Sequence, residues 1–185
     1  MMYNPALLGQ GRNAPLNYDG YIVKYDSSGT LIWARELNCG HDIRISDMKL
    51  DHSGNIILGG YYQYGVDLDP MESVKKAVGD TSGHYNGFVA KYTKGGRLMW
   101  KRNIGGQLTD KVHSISIDER NNVYVGGRFS DSVDFDPGRC TDLHISNGKE
   151  DAFILKYNSR GEYLWVKCFG GPGDDHVQDI ALTGI

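Results

Sequence analysis

Cysteine is nearly missing from this chain. Only Cys39, Cys140 and Cys168 occur, without CxxC spacing. An odd, scattered set forms neither a disulfide framework nor a cysteine zinc site, so buried or half-buried free thiols are expected. Cysteine usage leaves both their redox state and the compartment open. Proline is scarce at 5 residues, and low-complexity sequence is nearly absent. Excess positive charge is missing too: 20 Lys and Arg stand against 23 Asp and Glu, for a net charge of −3. The basic residues are scattered, with no run longer than the pairs Lys75-Lys76 and Lys101-Arg102, which argues against a phosphate-tracking groove and makes nucleic acid or an anionic membrane an unsuitable partner. No apolar run approaches the roughly 18 to 20 residues that span a bilayer. The opening "MMYNPALLGQGRNAPLNYDG" has no basic region followed by an apolar one, so it does not read as a signal peptide. Helical periodicity is absent as well.

Glycine, at 25 residues, and tyrosine, at 12, are abundant. With 39% hydrophobic and 23% charged residues in 185, the chain suits one ordinary soluble domain or part of a larger one. Such a composition favours many short strands joined by tight turns.

The sequence repeats. "VKYDSSGTLIWAR", "AKYTKGGRLMWKR" and "LKYNSRGEYLWVK" align Tyr25, Tyr92 and Tyr157, then Gly29, Gly96 and Gly161, then Trp33, Trp100 and Trp165. The tryptophans are 67 and 65 residues apart. Eighteen residues after the first two come Asp51 and Asp118, then the double glycines Gly59-Gly60 and Gly126-Gly127, then "DLDP" (67–70) and "DFDP" (134–137). By the same register "YNPA" near the start takes the place of "FDPG", and "HVQDIALTGI" matches "KVHSISIDER". The units are a loop at 1–17 with 18–70, then 71–137, then a truncated 138–185. Such a chain resembles a fragment, or a unit completed by further repeats in cis or by other copies. With terminal sheets uncovered, it is expected to self-associate or to be marginally stable.

"RISDMKLD" and "HSISID" alternate apolar and polar residues, while "NIILGG" and "NVYVGG" are short apolar runs after turn signals. "DAFILKY" and "EYLWVK" make a second hairpin across "NSRG". Four strands per unit of about 66 residues predict an all-β fold of antiparallel four-stranded propeller-type blades, roughly 2.5 of them. Phe153, Leu155 and Tyr157 share one face of their strand, and Trp165 is expected on a face with Tyr163, as an aromatic slab that a neighbouring sheet covers.

"IDERNNVYVGGRFSDSVDFDPG" with "DAFILKYNSRGEYLWVKCFGGPGDDHVQDIAL" resembles the bacterial β-propeller repeat family of the SBBP type, in its version with a DFDPG loop. The resemblance covers residues 3–185. It implies a bladed, extracellular or cell-surface scaffold without its own catalytic site, binding a protein or a surface glycan. The first unit departs from the pattern, with "LNCG" for "NIGG" and "CFGG", and with "DLDPM" lacking the last glycine. "YDSSGTLIW" is also similar to the D-x-x-T-G-x-x-x-W motif of quinoprotein-type propellers, whose repeats are shorter and lack DFDP.

Asp67 with Asp69, and Asp134 with Asp136, are the candidate metal ligands. Carboxylates at i and i+2 could hold Ca²⁺, which needs six to eight oxygens. They could equally cap turns through neighbouring backbone N–H groups. "GGPGDDHVQD" (170–179) groups glycine, carboxylates and histidine, but its counterpart keeps only Asp110, so it reads as a solvated connection. The six histidines form no metal-binding pair. No nucleophile motif or phosphate loop appears, so no catalytic residue is assigned. The leading expectation is a non-catalytic interaction module that uses loops 71–87 and 138–150. The competing one is a carbohydrate-active or quinone-dependent propeller enzyme.

Overall fold

Five hairpins of the protein close with the same turn, and that turn follows from the sequence pattern. The computed structural model describes residues 18–39, 41–69, 83–138 and 140–183. In the turns starting at Asp26, Asp51, Thr93, Asp118 and Asn158, the first residue donates its N–H to the carbonyl four residues on. The Asp118 carboxylate accepts the N–H groups of Arg120 (3.0 Å) and Asn122 (2.9 Å), and Asp26, Asp51 and Asn158 do the same at their own turns. The fourth residue has positive φ: Gly29 (82°), Gly54 (77°), Gly96 (80°), Asn121 (60°) and Gly161 (75°). A short acceptor followed three residues later by Gly or Asn therefore specifies each hairpin.

These turns join β1 (Gly20–Tyr25) to β2 (Leu31–Cys39), β3 (Ile43–Leu50) to β4 (Ile56–Gln63), β6 (Tyr85–Tyr92) to β7 (Leu98–Ile104), β8 (Lys111–Ile117) to β9 (Val123–Phe129), and β12 (Asp151–Tyr157) to β13 (Tyr163–Phe169). Short strands β5 (Val66–Asp67), β10 (Ser132–Asp134) and β11 (Leu143–Ile145) complete the set. The described residues contain no helix and form antiparallel sheets ordered β1-β2-β5, β3-β4-β6-β7 and β8-β9-β12-β13, plus the β10-β11 pair. The fold is all-β. The two four-stranded sheets take their strands from 43–104 and 111–169, so the sequence boundaries at 70/71 and 137/138 run through the middle of each sheet. Strand β5 follows β4 in the chain but pairs with β2, through Asn38↔Asp67 and Cys39↔Val66, and so ties adjacent sheets.

The β3-β4-β6-β7 sheet is buried on both faces. Ile57 and Val89 enter one core with Val112, Ile115, Phe153 and Leu155 of the following sheet. Leu58, Phe88 and Ala90 enter another with Ile22 and Leu37 of the preceding one. Two-sided burial explains the continuous apolar run of β4, where alternation would mark a half-solvated strand. It also explains the double glycines. A Cβ at Gly59 would lie 2.7 Å from Ile115 Cδ1, and one at Gly126 would lie 2.6 Å from Val177 Cγ1, each on the following inner segment. A Cβ at Gly60 or Gly127 would strike the carbonyl oxygen of Arg44 or Lys111, beside the bulges in β3 and β8.

Trp33 and Trp100 each pack on a turn of the following sheet. Trp100 Nε1 donates to the Ser159 carbonyl (3.2 Å), Arg102 Nε to Gly161 (2.7 Å), and Lys91 Nζ to Ser159 (3.3 Å). A Cβ on Gly161 would lie 2.6 Å from the Trp100 ring. One sheet earlier, Lys24 Nζ donates to the Lys94 carbonyl (3.2 Å), and Trp33 packs where a Gly96 Cβ would lie, 3.3 Å from Cζ3. The faces of Trp33 and Trp100 are thus covered by the next sheet, whereas the slab expected at Trp165 does not form, because Tyr163 does not share its face. A register shift sets Trp165 opposite Lys156 and Tyr163 opposite Tyr157, which point to opposite faces. Tyr163 packs on the core that holds Phe153, while Trp165 meets Tyr124 edge-on at 6.0 Å between centroids.

Under this latch lies the Lys91–Asp51 ion pair, 2.8 Å long, with side chains 3% and 2% exposed. Burial pushes the Asp51 carboxyl up, but Lys91 and hydrogen bonds from Asn55 and Ser53 outweigh it and hold the pKa at about 2. Because the folded value lies below the unfolded one of about 3.9, the stabilisation is complete above about pH 4 and is lost as pH falls through 2. Lys91→Met is expected to cost about 3–5 kcal/mol at pH 7, by leaving Asp51 buried and unpaired. The same variant should flatten the acid loss between pH 4 and 2. Urea denaturation across that range measures both.

Candidate functional site: a polar cleft at one end of the sheets

Strands β4 and β9 run toward one end of their sheets, and β6, β8 and β12 start there, so loops distant in sequence converge at that end. They enclose a cleft of about 770 Å³ lined by His84, Leu108, Arg128, Asp131, Lys149 and Asp174, among others. Its walls are fixed by backbone and side-chain bonds between loops. The Asp131 N–H donates to Ser146 Oγ (3.0 Å), while the Ser146 N–H donates to the Asp131 carbonyl (2.9 Å). Asp131 holds φ at 57°, a value that short polar side chains tolerate. The Asp175 N–H donates to the Glu150 carbonyl (2.8 Å), and Arg128 is ion-paired with the Glu150 carboxylate.

Beneath the cleft, Asp110 is fully buried. Its carboxyl accepts the N–H groups of Gly106 (2.8 Å) and Ser130 (3.0 Å), and the Ser130 hydroxyl donates to the Thr109 carbonyl (2.7 Å). Burial raises its pKa to about 7 despite those two bonds, with Glu150 and Asp131 adding to the rise. Desolvation, aided by Arg128, lowers the Lys111 pKa. The Lys111 ammonium lies 4.7 Å and 4.8 Å from the ring centroids of Tyr61 and Tyr85, and Arg44 stacks 3.7 Å over Tyr18 at the same end. Desolvation, with Arg128 and His176 adding, also holds His113 neutral down to about pH 4.

Residues singled out in the sequence fall in several places. Asp134 Oδ1 accepts the N–H groups of Asp136 (3.0 Å) and Asp142 (2.9 Å), and Asp67 accepts the N–H of Asp69 (3.0 Å), so the first acid of each pair caps a turn. Between the acids, Leu68 and Phe135 are buried core residues, and Tyr92 donates to the Leu68 carbonyl (2.7 Å). Asp136 lines a separate groove of about 570 Å³ with Phe135, Tyr157 and Tyr163. No three His, Cys, Asp or Glu side chains form a metal-binding group among the described residues. Residues 71–82 of the first expected binding loop lie outside the described residues. The second, 138–150, supplies one wall of the cleft.

The 170–179 segment is mostly exposed, as a solvated connection should be, but it is anchored at two points. The Asp175 carboxylate accepts the Gly171 N–H (2.8 Å), repeating the Asp110–Gly106 closure, and Val177 is buried. Cys168 is a half-buried free thiol whose pKa burial raises to about 12, with Asp142 and Asp151 adding. Cys140 is exposed, contrary to expectation, because it sits on the surface connection from β10 to β11. Cys39 ends β2, and its side chain lies outside the described structure. The cleft itself had no local signature in the sequence. Its one hint was the recurrence of Asp110 and Asp175 before an inner segment.

These features define an all-β repeat protein with a loop-built polar cleft. Residues 100–128 match the family model described as the SBBP β-propeller repeat, so the chain carries that repeat. The matched stretch runs from the Trp100 latch through β9 to Arg128 and ends before the 134–137 loop. The chain is 27% identical over 170 residues to Regulatory protein FlaEY of Caulobacter vibrioides, a match covering 90% of this chain and 17% of that protein. It is 26% identical over 187 residues to an uncharacterized WD repeat-containing protein of Acanthamoeba polyphaga mimivirus, covering 89% and 14%. The chain thus spans less than a fifth of the length of either relative.

Because Asp110 holds its proton more tightly when folded than when unfolded, its contribution to stability is full below about pH 4 and declines as pH rises to 7. The destabilisation caused by Asp110→Ala is therefore expected to be largest near pH 4 and to shrink toward pH 8. Urea midpoints of the two proteins across that range measure the difference.

Proposed function

We propose that this chain is a non-catalytic protein-interaction module whose binding surface is the loop-built end of the sheets. The observation that carries this reading is the β10-β11 hairpin beside the cleft. Leu143 is 56% exposed and Ile145 68% exposed on a strand that continues directly into the cleft residue Ser146. An exposed apolar strip bordered by Lys149, Asp131 and Asp174 has the apolar centre and charged rim of a protein-binding patch. The relatives, a regulatory protein and a WD repeat-containing protein, support interaction rather than chemistry. The cell surface of a bacterium is the setting that the resemblance implies. No cofactor enters the reading, and Asp67 and Asp134 cap turns by accepting the N–H groups of Asp69 and Asp136.

A photo-crosslinking residue at position 143 of the protein expressed in its own cells identifies the partner. Leu143→Asp with Ile145→Lys should then weaken that partner's binding at least about tenfold while leaving the melting temperature unchanged. Unchanged affinity would remove the strip from the interface. The enzyme reading would gain instead if the protein turned over members of a carbohydrate panel and lost that activity on Asp134→Asn with Asp136→Asn.

A further inference from the structure

Two tyrosines at the same place in successive units differ in what their hydroxyls do. Tyr92 is fully buried and donates to the Leu68 carbonyl (2.7 Å). Tyr157, its counterpart one sheet on, is only 2% exposed, yet its hydroxyl has no partner among the described residues and is not sealed from solvent. It opens on the groove of about 570 Å³ at the end of the sheets opposite the cleft. Phe135, Asp136 and Pro137 line the loop side of that groove, and Arg102 and Tyr163 the strand side. The two sides are tied together. The Tyr163 hydroxyl bonds the Asp142 carboxylate, while the Asp142 carbonyl accepts the Phe135 N–H (3.0 Å) and its N–H is held by Asp134 Oδ1 (2.9 Å). Beside Tyr92, Leu98 stands where Tyr163 does, so that sheet lacks the tie.

A buried hydroxyl without a partner is unfavourable, and a ligand that supplies an acceptor relieves it. Burial pushes the Tyr157 pKa above the usual tyrosine range, so the group stays a donor. Arg102 commits Nε to Gly161 and one Nη to the Lys101 carbonyl (2.7 Å), which leaves its other Nη free among the described residues. Asp136 gives its N–H to Asp134, and its carboxylate is unengaged among the described residues. Two donors and an acceptor thus lie together, with the half-buried Tyr163 ring beside them. Their charges nearly cancel, because Arg102 opposes Asp136 and Glu162 at the rim is paired with Arg160 (2.9 Å). We propose that this groove binds a neutral saccharide, one ring hydroxyl accepting from Tyr157 and Arg102, its neighbour donating to Asp136, and the apolar ring face lying on Tyr163. Adjacent hydroxyls both accept and donate, which is what the free groups ask for. At about 570 Å³ the groove falls within the roughly 300–1,000 Å³ of small-ligand pockets. An extended peptide suits it less, because such a peptide is held by a run of backbone partners, and the free groups here are side chains gathered at one spot.

Titration calorimetry with trisaccharides of glucose, mannose, galactose and N-acetylglucosamine tests this. At least one should bind, and Tyr157→Phe and Asp136→Asn should each weaken that binding at least about fivefold. Tyr92→Phe is the matched control. It removes a hydroxyl that is bonded within the fold, so it should lower the melting temperature and leave the sugar affinity unchanged. Tyr157→Phe should do the reverse, with melting unchanged and affinity lost. Leu143→Asp with Ile145→Lys, at the other end of the sheets, should not alter sugar binding, so this site and the loop-built surface are tested separately. Failure of all four sugars to bind would overturn the proposal, as would binding that survives both groove variants. So would a Tyr157→Phe protein that melts as low as Tyr92→Phe, since the hydroxyl would then serve the fold. A groove that takes terminally blocked oligopeptides and no sugar belongs to a protein partner instead.

Discussion

A sheet with two apolar faces cannot stand in water, and everything in this protein follows from how that problem is met. The central sheet sends Ile57 and Val89 one way and Leu58, Phe88 and Ala90 the other, so both of its faces need a neighbour. Apolar contact alone would let the sheets slide. The tryptophan latch stops them, because the indole N–H and the basic side chains beside it reach specific carbonyls on the next turn. The glycine in that turn serves twice over: it supplies the positive φ that closes the hairpin and leaves room for the ring. The Lys91–Asp51 pair is dry because the latch covers it. Lys156–Asp118, the same pair with no covering turn among the described residues, is longer at 3.5 Å and more exposed.

Where an interaction is local, the sequence made it legible. Strand positions, turn positions and the repeat register could all be read because an acceptor and a glycine three residues on specify a hairpin without help from the rest of the chain. The face that carries Trp165 could not be read, since a single register shift near Tyr163 reverses the alternation and nothing in "EYLW" announces it. The burial of Leu68 and Phe135 was hidden by the flanking acids, which draw attention to charge rather than to the apolar residue between them. The cleft was the hardest to see. Its walls come from five separated segments, and only the folded sheets bring Asp110, Ser130 and Glu150 together.

The two buried aspartates show how environment divides one residue type. Asp51 has a cation and several donors, and stays charged in acid. Asp110 has backbone donors but no cation, with Glu150 and Asp131 nearby, and holds its proton toward neutrality. The first fixes the interface between sheets. The second underpins the loops of the cleft, so charge there is coupled to loop geometry rather than to sheet packing.

Strand β5 leaves one sheet and pairs with the one before it, and the latch likewise reads only the adjacent turn. Every contact of this kind spans one unit and no more. A recombination event that adds or removes a whole unit in register would give each tryptophan a turn to hold and each double glycine a strand to meet. An event of any other length would break both at once. The architecture therefore tolerates change in number far better than change in phase, and a lineage of such proteins could vary its length in unit steps without redesigning a single interface.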